Sequence, residues 1–119
     1  MILAAILVVF FITPALAGKW MVGDTVHVNG FCKDLDTLNE IAEISVYSTE
    51  ESNLLFTQYT RTGQCVSWSF PFPGMLKKLE ATINSQAGPG EIWAASLFDV
   101  ATIYVYINAT NGPHEQKKT

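Results

Sequence analysis

The sequence predicts a single small α+β domain: one helix packed on a twisted antiparallel sheet or a partly closed barrel, held by one disulfide. Three observations lead there. A period-2 apolar run surrounds Val26, a helical stretch opens near Thr37, and β-branched and aromatic residues crowd the chain from Val66 to Ile107 between Pro and Gly interruptions. An all-β sandwich is the alternative architecture. With 119 residues and no repeat, the chain has room for one core.

The first strand follows Gly23-Asp24. Val26, Val28 and Cys32 share one parity, Thr25, His27 and Asn29 take the other, and Gly30 marks an end or a bulge. Thr37 and Glu40 have the spacing of a capping box, so a helix is expected to start close to Thr37. Leu38, Ile41, Ala42 and Ser45 form its apolar face, and it fades by Tyr47 or Ser48. Glu50 to Asn53 reads as a turn. Leu54-Leu55-Phe56 with Tyr59 fits a short helix and a strand equally, and residues 54–60 stay undecided.

Arg61-Thr62-Gly63-Gln64 has turn chemistry, and Val66, Trp68 and Phe70 then alternate with Ser67 and Ser69 as a strand. Trp68, Phe70 and Phe72 are expected in the core. Cys65 has the opposite parity to that apolar set, so a buried bridge there calls for a bulge or an irregular strand start. Pro71-Phe72-Pro73-Gly74 is expected to break regular structure. Leu79, Ala81 and Ile83 alternate again, Gly88-Pro89-Gly90 reads as a turn, and Glu91–Phe98 and Thr102–Asn108 complete a three-stranded meander around Asp99-Val100-Ala101.

The ends carry different signals. Ile2 to Ile12 is uninterrupted apolar sequence, followed by Pro14 and Ala15-Leu16-Ala17, so residues 1–17 read as a signal peptide and Gly18 as the first mature residue. The competing reading is a membrane anchor through residues 1–17, although a span needs about 20 apolar residues. Export, periplasmic or extracellular, follows from the first reading, with no stable membrane anchor once the leader is cleaved. Residues 18–110 form the domain, and 111–119, without apolar periodicity, form a disordered tail.

Cys32 and Cys65 are the only cysteines, and in an exported chain they allow one bridge, closing a loop of about 34 residues worth roughly 3 to 4 kcal/mol. Seven Lys or Arg against eleven Asp or Glu give a net charge of −4, which disfavours nucleic acid as a partner. The histidines are His27, on a strand, and His114, in the tail; neither forms a triad or metal pattern, and no metal or cofactor is expected. Asp24, Asp34, Asp36 and Glu40 are the carboxylates from which a glycosidase-type pair would be drawn, although helix capping accounts for most of them.

Binding is expected elsewhere. Tyr104 and Tyr106 share one face of the last strand opposite Ile103, Val105 and Ile107, and Trp93 lies on the neighbouring strand, so the three rings form a candidate contact surface for an envelope protein or a glycan. The competing reading makes them a second core layer. Asn108-Ala109-Thr110 matches the N-glycosylation acceptor pattern, relevant where the host has that machinery.

The order of Val28-Asn29-Gly30-Phe31-Cys32, an acidic helix from Asp34 to Ser48, Gly63-Gln64-Cys65, a Pro-containing bend and terminal strands with Trp93 and Tyr104 resembles small exported two-cysteine proteins of bacteriophages and environmental bacteria. That resemblance spans residues 26–107 and implies a two-cysteine α+β domain; it brings no activity, and the uncharged start of the leader departs from it. The function expected is a non-enzymatic exported interaction module at the cell envelope, phage-encoded in origin. A small secreted hydrolase using carboxylates and a membrane-anchored structural protein of an envelope or virion are the alternatives.

Overall fold

The computed structural model describes residues 19–109 and Gly112; the leader over 1–17, His114 and the tail over 111–119 apart from Gly112 lie outside the described residues. The chain runs β1 (Thr25–Cys32), α1 (Leu35–Ser45), α2 (Thr49–Thr62), β2 (Cys65–Ser85), β3 (Gly88–Leu97) and β4 (Ala101–Asn108). The strands are antiparallel in that order, and a single β1–β4 pair, Cys32 opposite Tyr104, closes them into a barrel. This is the α+β architecture, with two helices in place of one.

α1 begins one turn earlier than the capping box at Thr37 suggested. Asp34 is the N-cap, and its carboxylate accepts from both the amide and the hydroxyl of Thr37, each at 2.8 Å. The undecided segment is helix: Ser48 caps α2 by accepting from the Glu51 amide, and Gly63 ends it in the left-handed conformation at φ 87°. Glu50 to Asn53, expected as a turn, is its first part. Ser52, Leu55, Phe56 and Tyr59 recur at helical spacing and face inward, a stripe too mixed in polarity to stand out in sequence.

β2 runs unbroken through Pro71-Phe72-Pro73-Gly74, against expectation. The prolines fall where the ladder tolerates them. Pairing with β1 jumps from Val28–Phe72 to Gly30–Ser67, so Asn29 alone faces an excursion of β2 that contains Pro71. Pro73 pairs with His27 on one side, while pairing with β3 starts only at Gly74. Further on, register shifts at Lys77 and Glu80 each insert one residue; the first turns the strand over and the second turns it back. Leu76 packs inside the barrel and Ala81 and Ile83 outside it, as plain alternation has it, and only the stretch between the shifts is inverted, which sets Leu79 opposite Trp93 and off the face of Ala81 and Ile83.

The sheet is buried on both sides. Val26, Phe31, Phe72, Leu76, Trp93 and Val105 belong to the barrel interior, whereas Cys32, Cys65 and Ile92 lie with Leu38, Ile41 and Ala42 of α1 in a second cluster. This removes the parity difficulty at Cys65. Val66 faces the barrel and Cys65 faces the helices, so alternation continues with no bulge between them. The bridge joins directly opposed residues, 3.9 Å apart at Cα and 33 residues apart in sequence.

One side chain ties the helices to the sheet at their far end. The β2–β3 turn is Gln86-Ala87 rather than Gly88-Pro89-Gly90, whose residues belong to β3. The Gln86 amide donates to the Ser45 carbonyl at 2.8 Å, and its side chain donates to the Tyr47 carbonyl and accepts from the Thr49 amide. Orphaned backbone groups at the end of α1 and the start of α2 are thereby satisfied from one hairpin tip.

Reduction of the Cys32–Cys65 bridge, or its replacement by a serine pair, is expected to lower stability by roughly 3 to 4 kcal/mol, read as a downward shift of the thermal midpoint. A second outcome concerns pH. The Thr37 amide, then its hydroxyl, hold the Asp34 carboxyl below its ordinary value of 3.8. Its stabilising effect is therefore full above that value and lost as pH falls through the lower folded one. The gap in urea midpoint between the native chain and Asp34→Ala should be constant near neutrality and shrink in that acidic window.

Candidate functional site

The three rings expected to share a surface are divided by the sheet. Leu97 pairs with Ala101 around a three-residue turn, so odd-numbered residues of β3 oppose odd-numbered residues of β4. Trp93 therefore lies beside Val105, 3% exposed inside the barrel, with its indole nitrogen donating to Glu91 Oε1 at 2.8 Å. Tyr104 and Tyr106 take the other face, half-buried with the helix-side cluster.

Tyr106 lines a cleft of about 400 Å³ between the helix pair and the sheet, together with Leu38, Ile41, Ala42 and Phe56. Two glycines let the rings lie flat. A Cβ on Gly30 would stand 2.8 Å from the Phe56 ring, and one on Gly90 would overlap the Tyr106 hydroxyl. The hydroxyls of the three serines in the cleft are taken up, Ser45 on the Ala42 carbonyl, Ser52 on the Thr49 carbonyl and Ser85 on the Gly88 carbonyl. The Tyr106 hydroxyl is buried and has no hydrogen-bond partner among the described residues.

The acidic residues are engaged separately. Asp34 caps α1, Asp24 Oδ2 accepts from the Met21 amide, and Glu40 accepts from the Tyr59 hydroxyl at 2.5 Å, a bond that pushes the phenol's pKa up. Asp36 is exposed in the first turn of α1. His27 is exposed on β1 opposite Pro73, and Asn108 is exposed at the end of β4 with its carbonyl accepting from the Trp20 indole. No group of three or more metal-ligating side chains comes together among the described residues.

The exposed apolar surface lies where sequence reasoning did not look. Of Trp68, Phe70 and Phe72, only Phe72 is buried; Phe70, on the excursion opposite Asn29, is 79% exposed. Trp68 packs edge-on against Phe72 at 4.4 Å and Phe31 at 6.5 Å between ring centroids and is 45% exposed. The connection between β3 and β4 is Phe98-Asp99-Val100 rather than Asp99-Val100-Ala101. Phe98 and Asp99 both have positive φ, 54° and 60°, closed by the Val100 amide on the Leu97 carbonyl. Phe98 is 61% exposed and Val100 82%, and Phe98 lines a shallow hollow with Thr25, Pro73 and Met75. In sequence Phe98 reads as the end of a strand, and no local signal marks it otherwise.

Comparison of the chain with protein-family models, with curated proteins and with solved structures found no match. None of the described helices is long and apolar enough to cross a membrane.

Removing the orphaned hydroxyl by Tyr106→Phe is expected to raise stability by about 1 kcal/mol, because the group loses its water without gaining a partner. Chemical denaturation of the ligand-free protein measures it.

Proposed function

We propose that the chain is an exported, disulfide-stapled, non-enzymatic interaction module that grips a protein of the cell envelope through the Phe98-Asp99-Val100 turn. The observation that carries this reading is Phe98 itself. A bulky side chain at positive φ costs on the order of 1 kcal/mol, in a turn where Asn or Gly is favoured. Its ring is largely exposed, so folding recovers little of that cost by burial. Backbone strain combined with an exposed ring is what a contact residue displays before its partner arrives.

The apolar character of the turn suits a protein partner. Phe98 shares a hollow with Met75, Val100 is exposed on the same turn, and aromatic and Met side chains are enriched in interface cores. Export is supported by the leader-like sequence of residues 1–17 and by a bridge of the kind that persists in oxidising compartments. A phage-encoded origin belongs to the same reading and rests on the order of the two cysteine motifs around the acidic helix.

A photo-crosslinking residue at Val100, introduced in cells that export the protein, is expected to yield a discrete protein adduct, while the same residue at exposed Thr57 of α2 yields none. Phe98→Asn should raise stability by about 0.5 to 1 kcal/mol, since Asn accepts the left-handed conformation, and should reduce the Val100 adduct. Equal labelling from both positions, or an adduct untouched by Phe98→Asn, would overturn the reading.

A further inference from the structure

The barrel closes through a single pair, and the reason points to a second binding site. Continuing the antiparallel register from Cys32–Tyr104 would set Gly30 against Tyr106 and Val28 against Asn108, yet neither pair forms. The missing pairs coincide with the register shift between Val28 and Gly30, where β2 makes its excursion on the other side of β1. Between the diverging strands lies a slot of about 540 Å³, lined by β1 from Thr25 to Gly30, by β4 from Tyr106 to Asn108, and by Trp20.

We propose that this slot is a strand-acceptor site: an extended segment of a partner polypeptide, apolar at alternate positions, enters between β1 and β4 and completes the barrel. Two features define the occupant. Among the described residues, Thr25–Gly30 have a strand neighbour on the β2 side alone, so a row of β1 backbone groups faces the slot as it would face a strand. The floor is apolar, formed by Val26 and Ile107 of the barrel interior with Val28 packed against them. Backbone pairing at the edge with an apolar face beneath is the recognition mode of strand addition, which asks for side chains that alternate between core and solvent.

Trp20 is the stand-in. It precedes β1 outside any regular element, packs against the interior cluster and holds its place with one indole hydrogen bond to the Asn108 carbonyl, 3.0 Å. An entering strand displaces one ring and supplies both the apolar cover and the backbone partners. The chain's own flanks do not fit: Ile2–Ile12 is apolar without alternation, and residues 110–119, Thr-Asn-Gly-Pro-His-Glu-Gln-Lys-Lys-Thr, offer no alternating apolar side chains, so the strand comes from another polypeptide. The site is separate from the Phe98 turn and shares with the proposed function only that its partner is a protein.

The test uses the full chain with the nonapeptide Lys-Val-Thr-Val-Glu-Val-Thr-Val-Lys joined after Thr119 by a flexible Gly-Ser linker, which gives the strand a millimolar local concentration. In the unfused chain, the β1 amides between Thr25 and Gly30 that are not bonded to β2 should exchange with solvent like unpaired backbone. In the fusion they should slow by about a hundredfold, within the range of local protection. The Trp20 indole N–H resonance should move as its bond to Asn108 is lost. A fusion with proline at alternate positions should do neither. Slow exchange of those amides without the fused strand, or unchanged exchange with it, overturns the proposal, and neither result bears on crosslinking from Val100.

Discussion

Cys32 stands at a junction on which the rest of the molecule depends. It opposes Cys65 on β2 and Tyr104 on β4, so one residue carries the covalent bridge and the only pair that closes the barrel. It is wholly buried in the cluster that α1 covers. A short domain with a divided core has little apolar area to spare, and a bridge that shortens the unfolded ensemble while filling the second cluster serves both needs.

From that junction the strands diverge, and the divergence shapes every surface of interest. The sheet has one face in the barrel and one under the helices, which consumes apolar residues of both parities near Cys32 and Cys65. Away from the helices that second cover is missing. Phe70, Phe98 and Val100 are left in solvent there, and β1 parts from β4 over the slot that Trp20 lines. An exposed strained turn and an open strand edge are both expensive to keep in a monomer, and a protein that meets partners makes use of each.

The fold was legible wherever one face alone decided a side chain's fate. The α+β class, α1 with Leu38, Ile41 and Ala42 inward, and the pairing of the cysteines follow from local patterns. α2 was obscured because its stripe mixes Ser52 with Leu55, Phe56 and Tyr59, and because Leu54 beside it points to water. The prolines of β2 read as breakers because sequence does not show which edge of a strand has a neighbour. Of the contact surface expected from Trp93, Tyr104 and Tyr106, the two tyrosines keep a common face and Trp93 takes the other, since pairing across the turn sets its parity.

The sequence by itself determined the α+β class, the inward face of α1 and which two cysteines must meet, because periodicity and composition act over neighbours in the chain. The tertiary structure decided which of the sheet's two faces each residue occupies, through the register across the β3–β4 turn that parts Trp93 from the tyrosines and through the paired one-residue shifts at Lys77 and Glu80 that move Leu79 off the face of Ala81 and Ile83. It also decided that Phe98 and the edge of β1 stay open, because exposure depends on what the distant helices and β4 leave uncovered.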